Sequence, residues 1–214
     1  MKALNVKPRF DKYWFVDLSP LRVENLEKIQ NEFPDRNIEI LQGDANQILK
    51  NDIIPVLTRQ ERGIIILDPY GLQIDWSTVE EIAKARLFDV FINFSLMGVI
   101  RNLPSRDFPD GSQLELMERV MGSSDWVNEL YTFQKDLFGG IKIQRGKLSP
   151  EWIGCFYRYK LQNLFSYVSD LVIMKNSKNS PIYALVLASH NSTAIKITND
   201  ILKKFGAVKC KLED

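Results

Sequence analysis

Gly63-Ile64-Ile65-Ile66-Leu67-Asp68-Pro69-Tyr70-Gly71 is the stretch that decides how this chain folds. A short, continuous, β-branched apolar run closed by turn residues reads as a strand of a parallel sheet, buried on both faces. It delivers a carboxylate, a proline, an aromatic ring and a glycine at its carboxyl end, where open α/β sheets bind their ligands.

Working outward, the same pattern repeats on both sides. Downstream, a helix is expected from about Trp76 to Arg86, with Ser77 and Glu80 spaced as a capping box. Phe88 to Phe94 follows as an apolar strand ending at Asn93-Phe94-Ser95. Upstream, Tyr13-Trp14-Phe15-Val16 reads as a buried parallel strand ending on Asp17. Ser19 is placed to cap a helix and Pro20 to begin it, with Val23, Leu26, Ile29 and Phe33 on one face and Pro34 as the stop. Asn37 to Gln42 alternates as a strand, and Gly43-Asp44-Ala45-Asn46 opens a helix carrying Ile48, Leu49 and Ile53, which Pro55 interrupts. Strands and helices alternating with short connections predict a parallel sheet covered on both faces.

Beyond Ser95 the pattern changes. Residues 98–147 are rich in turn residues, with helices expected near Gln113–Val120 and Asp125–Leu137, and read as a helical insert. Such an insert is either a lid over the strand ends or a packing appendage. A long helix starts at Ser149-Pro150 with Trp152, Ile153, Phe156, Tyr157 and Leu161 among its apolar positions. Leu171–Met174 and Ile182–Leu187 are strands whose connection is too short for a crossover helix, so they pair antiparallel. A last helix runs from about Ser192 to Phe205 and closes on Gly206.

At 214 residues the whole chain, 1–214, reads as a single α/β domain. The net charge of +1 gives no indication of nucleic acid or of an anionic membrane as partner, although a local basic patch is compatible with it. No apolar run approaches the roughly 20 residues that span a bilayer, and the start lacks a signal-peptide core. The two cysteines, Cys155 and Cys210, do not amount to a disulfide framework, so a reducing, cytoplasmic location is expected.

Three acids fall at consecutive strand ends: Asp17, Asp44 and Asp68. An acid there accepts the hydroxyls of a ribose in nucleotide-binding α/β folds, a role that suits Asp17. Asp44, followed by Ala45, is placed to accept the amine of an adenine. Taken singly, each is as well explained as a helix cap. Asp68, Pro69 and Tyr70 form the sharpest candidate. A carboxylate and the carbonyl beside a proline can hold two N–H groups of an amine and orient its lone pair. The ring can stack on a flat substrate. An ordinary strand-to-loop turn has the same composition. Arg101 is a candidate for an anionic substrate group or a surface arginine on a loop. His190, the single histidine, reads as a loop or capping residue. No metal-ligand spacing, dinucleotide glycine motif or P-loop is present, so no metal site is expected.

Phe15-Val16-Asp17-Leu18-Ser19-Pro20, Gly43-Asp44-Ala45-Asn46, Leu67-Asp68-Pro69-Tyr70-Gly71-Leu72 with Trp76, and Ile92-Asn93-Phe94-Ser95 through Arg101 together resemble the three-Cys-motif partner protein family. Tyr157-Arg158-Tyr159-Lys160-Leu161 and Pro181-Ile182-Tyr183-Ala184-Leu185 through His190 extend the likeness to roughly Tyr13–Phe205, outside the insert. The resemblance implies a Rossmann-like, class I methyltransferase-type fold ending in an antiparallel hairpin. It also implies S-adenosylmethionine (SAM) as cofactor, with Asp17 near the ribose, Asp44 near the adenine and Asp68 facing the substrate, and a partner protein bearing a three-cysteine motif. Two features depart from the family pattern. The central first strand with its glycine-rich loop has no counterpart in Met1–Lys12, and Tyr70 stands one place earlier than in the usual Asp-Pro-Pro-Tyr. A missing central strand leaves backbone groups unpaired. The favoured explanation is a start codon upstream of Met1; the others are a strand supplied by a partner, or direct pairing of the flanking strands in a degenerate fold.

The function expected is a SAM-dependent methyltransferase acting on an amine or nucleobase-like group. The alternative is a non-catalytic binding module that has lost its cofactor, and a carboxylate-metal hydrolase using Asp17, Asp44 and Asp68 ranks third.

Overall fold

The computed structural model describes residues 2–104, 107–135, 141–146 and 148–210. It divides into two compact units, Met1–Thr58 and Arg59–Asp214.

In the first unit β1 (Tyr13–Asp17) and β2 (Ile38–Gln42) pair in parallel, with Tyr13 opposite Ile38 and Asp17 opposite Gln42. The connecting helix α1 (Pro20–Glu32) starts where Ser19 and Pro20 predict, yet the Ser19 hydroxyl makes no cap bond. The Ser19 N–H donates instead to Asp17. Leu4, Tyr13 and Ile38 form the buried centre, with Phe15, Ile29, Phe33 and Ile40 packed around it. After β2, α2 (Ala45–Ile48) widens into a π turn over Leu49–Ile53 and tightens into a 3-10 turn at Ile54–Val56. The interruption falls where Pro55 lacks the N–H a regular helix needs.

The second unit carries a five-stranded mixed sheet. β3 (Gly63–Leu67) runs parallel to β4 (Phe88–Ser95), and β4 pairs antiparallel with β9 (Pro181–Ser189). The far edge of β9 is covered in two pieces, β7 (Tyr167–Val168) and β8 (Val172–Lys175), both antiparallel. Ser169 bridges the gap between them: its N–H reaches Leu187 O and its hydroxyl accepts from Leu187 N. The expected C-terminal antiparallel hairpin is thus present as β8–β9, and the architecture is mixed α/β.

α3 (Trp76–Ala85) and α7 (Pro150–Gln162) contribute Trp76, Val79, Ile82, Ile153 and Leu161 to a core that also holds Val90, Ile92, Phe94, Ala184 and Val186. The Tyr157 ring stacks on Phe94 with centroids 3.8 Å apart and meets Trp76 edge-on. α8 (Ser192–Leu202) follows β9, and the chain turns at Gly206 with φ of 74°, as expected.

Several expectations are corrected. β3 is not buried on both faces: Ile64 is 47% and Ile66 67% exposed. A run that is apolar at every position carries no record of which face is covered. The capping box at Ser77 and Glu80 does not form, because α3 begins at Trp76, as expected, and its N-cap is Asp75, two residues before Ser77. The insert is not purely helical. After α4 (Leu96–Asn102) and α5 (Gly111–Met121), α6 (Asp125–Leu130) stops short of the expected Leu137. The chain becomes β5 (Tyr131–Lys135), antiparallel to β6 (Ile141–Arg145). Residues 105–106, 136–140 and 147, which the insert reading also covered, lie outside the described residues. Finally, Cys155 and Cys210 form a disulfide with Cα atoms 5.4 Å apart, against the expectation of free thiols. The antiparallel bridge of Leu171 to Val208 brings the tail back toward the sheet. No helix among the described residues is long and apolar enough to cross a membrane.

Candidate functional site

The site in the second unit is built by register. Leu67 pairs with Ile92, so Asp68, just past the end of β3, stands beside Asn93, which is still within β4 and pairs with Leu185 of β9. Asn93 Nδ2 donates to Asp68 Oδ1 at 2.6 Å. This bond fixes the amide: the opposite orientation would set two oxygens against each other. Asn93 Oδ1 is then a buried acceptor without a hydrogen-bond partner among the described residues, a state that costs about 1–3 kcal/mol in a protein interior and is uncommon in native structures. Asp68 itself is exposed.

Past Pro69 the chain turns, with the Tyr70 N–H donating to Gln73 Oε1 at 3.1 Å. Tyr70 is 78% exposed and stands on one wall of a cleft of about 550 Å³. Ser95, at the end of β4, forms the floor. Its buried hydroxyl accepts from Gly98 N at 3.1 Å and so caps α4. α4 approaches the loop after β3 closely, since a Cβ on Gly98 would lie 2.8 Å from Leu72 Cγ. Arg101, read from sequence as lying on a loop, is in fact in the last turn of α4. Asn102 donates from Nδ2 to Gly98 O at 2.8 Å. The cleft therefore takes Tyr70 and Arg101 into its walls, whereas Asp68 is not among its lining residues.

Two further walls were not singled out in the sequence. The hairpin joining β8 and β9 supplies Asn176, Ser180 and Tyr183, and α5 supplies Leu116. The Asn176–Ser180 turn had a legible signal in Asn176-Ser177-Lys178-Asn179-Ser180-Pro181. It is closed by Asn176 Oδ1, which accepts from the Lys178 and Ser180 N–H groups. The insert is tied to the same region: Arg119 of α5 donates to Leu72 O at 3.1 Å and forms an ion pair with Asp75. Gly122, which ends α5 with φ of 75°, has no room for a side chain, as a Cβ there would overlap the Trp76 ring.

In the first unit the two remaining acids are engaged locally. Asp17 Oδ1 accepts from Ser19 N at 2.8 Å, and Oδ2 from Arg22 Nε at 2.7 Å. Burial acts to raise the Asp17 carboxyl, but the Ser19 bond and the Arg22 guanidinium outweigh it and hold the group below its ordinary value. Asp44 caps α2, its Oδ1 accepting from the Asn46 N–H at 2.8 Å and from Asn46 Nδ2 at 3.0 Å. Ala45 is the first residue of that helix. The capping role considered for both acids is present for Asp44 alone; Asp17 holds the N–H of Ser19, the N-cap residue of α1, without capping the helix.

His190 makes contacts through both ring nitrogens. Nε2 lies 3.0 Å from Ala83 O, and Nδ1 accepts from the Ser166 N–H at 3.3 Å. This is the arrangement of a neutral ring. Burial lowers its pKa, the Ala83 carbonyl opposes that, and Arg86 adds to the lowering. Among the described residues no group of three or more His, Cys, Asp or Glu side chains is placed to hold a metal ion. The chain matches no protein-family model and no curated protein.

Proposed function

We propose that this chain is a methyltransferase-type α/β domain that transfers a methyl group from SAM to an amine or nucleobase-like nitrogen, with Asp68, Pro69 and Tyr70 at the reacting centre. The observation that carries the reading is the Asp68–Asn93 pair at the carboxyl end of β3, two residues before Tyr70, which lines the cleft. The order β3-β4-β9, with β9 antiparallel and β8 on its outer side, supports the same reading. It is the order in which class I methyltransferase folds close.

The residues fit the adenosine half of the cofactor. Asp44 keeps Oδ2 for an adenine amine while Oδ1 caps α2, with Ala45 beside it. The Asp17–Arg22 pair is exposed enough, at 24% and 46% of the side chains, to be worth only about 0–1 kcal/mol. A ribose diol can therefore displace the arginine. When bound, SAM supplies an electrophilic methyl group on a sulfonium. Asp68 accepts one N–H of the substrate and the carbonyl beside Pro69 a second, which aims the lone pair. Asn93 fixes the Asp68 carboxylate, and Tyr70 stacks on the substrate plane. No strong base is needed, because the proton becomes acidic once the nitrogen is alkylated.

Calorimetric titration of SAM into the chain tests this. Binding in the micromolar range is expected, weakened tenfold or more in Asp44→Ala. Absence of any binding ends the reading.

A second reading, a binding module without catalysis, is favoured by one observation: these 214 residues hold no glycine-rich loop to cradle the methionine half. It predicts that biological activity survives Asp68→Ala. A three-cysteine-motif protein is the partner proposed for either reading, to be checked by co-purification of the two chains. A cytoplasmic location is proposed alongside it, without the support of free thiols, since Cys155 and Cys210 are bonded to each other; fractionation of cells that express the chain tests it.

A further inference from the structure

Among the described residues that line the cleft there is one charged side chain, the guanidinium of Arg101, and no carboxylate. Arg101 forms no ion pair or hydrogen bond among the described residues, although most other arginines near the site are engaged: Arg119 with Asp75 and Leu72, and Arg145 with Leu103. The rest of the polar lining is neutral, consisting of the amides of Asn102 and Asn176 and the hydroxyls of Ser95, Ser180, Tyr70 and Tyr183. An uncompensated guanidinium in the wall of a cleft attracts an anion, and its planar fork matches a carboxylate or phosphate. The two phenol rings offer faces to a flat group. A volume of about 550 Å³ lies within the range of small-molecule sites and holds one or two rings with a charged substituent.

We infer that this cleft recognises a small, planar, singly anionic-headed ligand, a carboxylate or a phosphate carried on an aromatic or nucleobase ring, with Arg101 as the anion fork and Tyr70 and Tyr183 as the ring contacts. The inference rests on the proposed methyl transfer only in making this ligand the methyl acceptor. Binding itself needs neither SAM nor Asp68. Asn176 and Ser180 set which substituents the ring carries, because the β8–β9 turn lines the same cleft.

The test uses two matched pairs of probes on the whole chain: adenosine 5′-monophosphate against adenosine, and 4-aminobenzoate against 4-aminobenzamide. Each pair differs in its anionic group alone, and the two pairs separate phosphate from carboxylate. Affinities are read by calorimetry, and site occupancy by shifts in the Gly98 and Asn102 amide resonances. The anionic member of at least one pair is expected to bind tenfold or more tightly than its neutral twin. Arg101→Gln should erase that preference, and Arg101→Lys should keep part of it. Arg101 is exposed, so both variants fold. Equal affinity within both pairs overturns the proposal, as does an anion preference that survives in Arg101→Gln. Anion-selective binding by a chain that takes up no SAM leaves this site standing and removes methyl transfer.

Discussion

Acids stand at strand ends in both units, but they are held differently. Asp17 and Asp44 are bonded within five residues of themselves, by Ser19 and Arg22 and by Asn46. Asp68 is bonded across the sheet by Asn93, 25 residues away in sequence. A local partner makes an acid part of the turn that contains it. A partner on the neighbouring strand instead ties it to the tertiary structure, next to an Asn93 Oδ1 that has no hydrogen-bond partner among the described residues. A strand-end acid is thus a stronger functional candidate when its own turn does not use it.

Substitutions can break this comparison, and the largest effect is expected at Asp68. Asp68→Ala should lower methyl transfer by about a hundredfold or more, on the order of losing one preorganised group in an active site. It should leave the thermal midpoint nearly unchanged, because the side chain is exposed. An unaltered rate in a single-turnover assay would show that the acid is only a turn residue. Next comes Asp44→Ala, which removes the α2 cap and should cost about 1 kcal/mol in urea denaturation. Asp44→Ser restores a capping oxygen, so it separates the two roles: stability should return and adenosine binding should not.

The smallest effects are electrostatic, and pH distinguishes the units. Asp17 sits below its ordinary value of 3.8, so its contribution is complete above that pH and is lost as the pH falls through the lowered folded value. His190 sits below its ordinary value of 6.5, so the neutral ring's contribution is complete above that pH and is lost on acidification through its own folded value. Amide exchange should therefore quicken around Ser166 at a higher pH than around Ser19. The reverse order, measured by NMR, would contradict both assignments. Arg22→Ala should bring the Asp17 titration back toward 3.8 with little loss of stability.

The alternation of strands and helices was legible from Tyr13 to Ser95, because each element carries its own punctuation: Pro20, Gly43, Gly63 and Pro69. The β8–β9 hairpin was legible from the length of its connection. What escaped depends on partners distant in sequence. The apolar spacing of Asp125–Leu137 suits a helix until Tyr131, where pairing with Arg145 makes the same residues a strand. The exposure of Ile64 and Ile66 follows from which face of the sheet lacks cover, which identical neighbours cannot encode. At the site, Asp68 and Tyr70 were named together from four adjacent residues. Their division between the Asn93 pair and the cleft comes from the turn at Pro69 and the register of β4. Arg101 was found by its position after a strand end, although the helix that carries it was hidden behind Gly98 and its capping Ser95.

The bond between Cys155 and Cys210 joins residues 55 positions apart into a covalent ring, and the β8–β9 hairpin lies wholly within it. A protease that cut the chain at the Asn176–Ser180 turn would open one wall of the cleft without producing two molecules. The nicked protein would migrate as a single species until a thiol reductant was added.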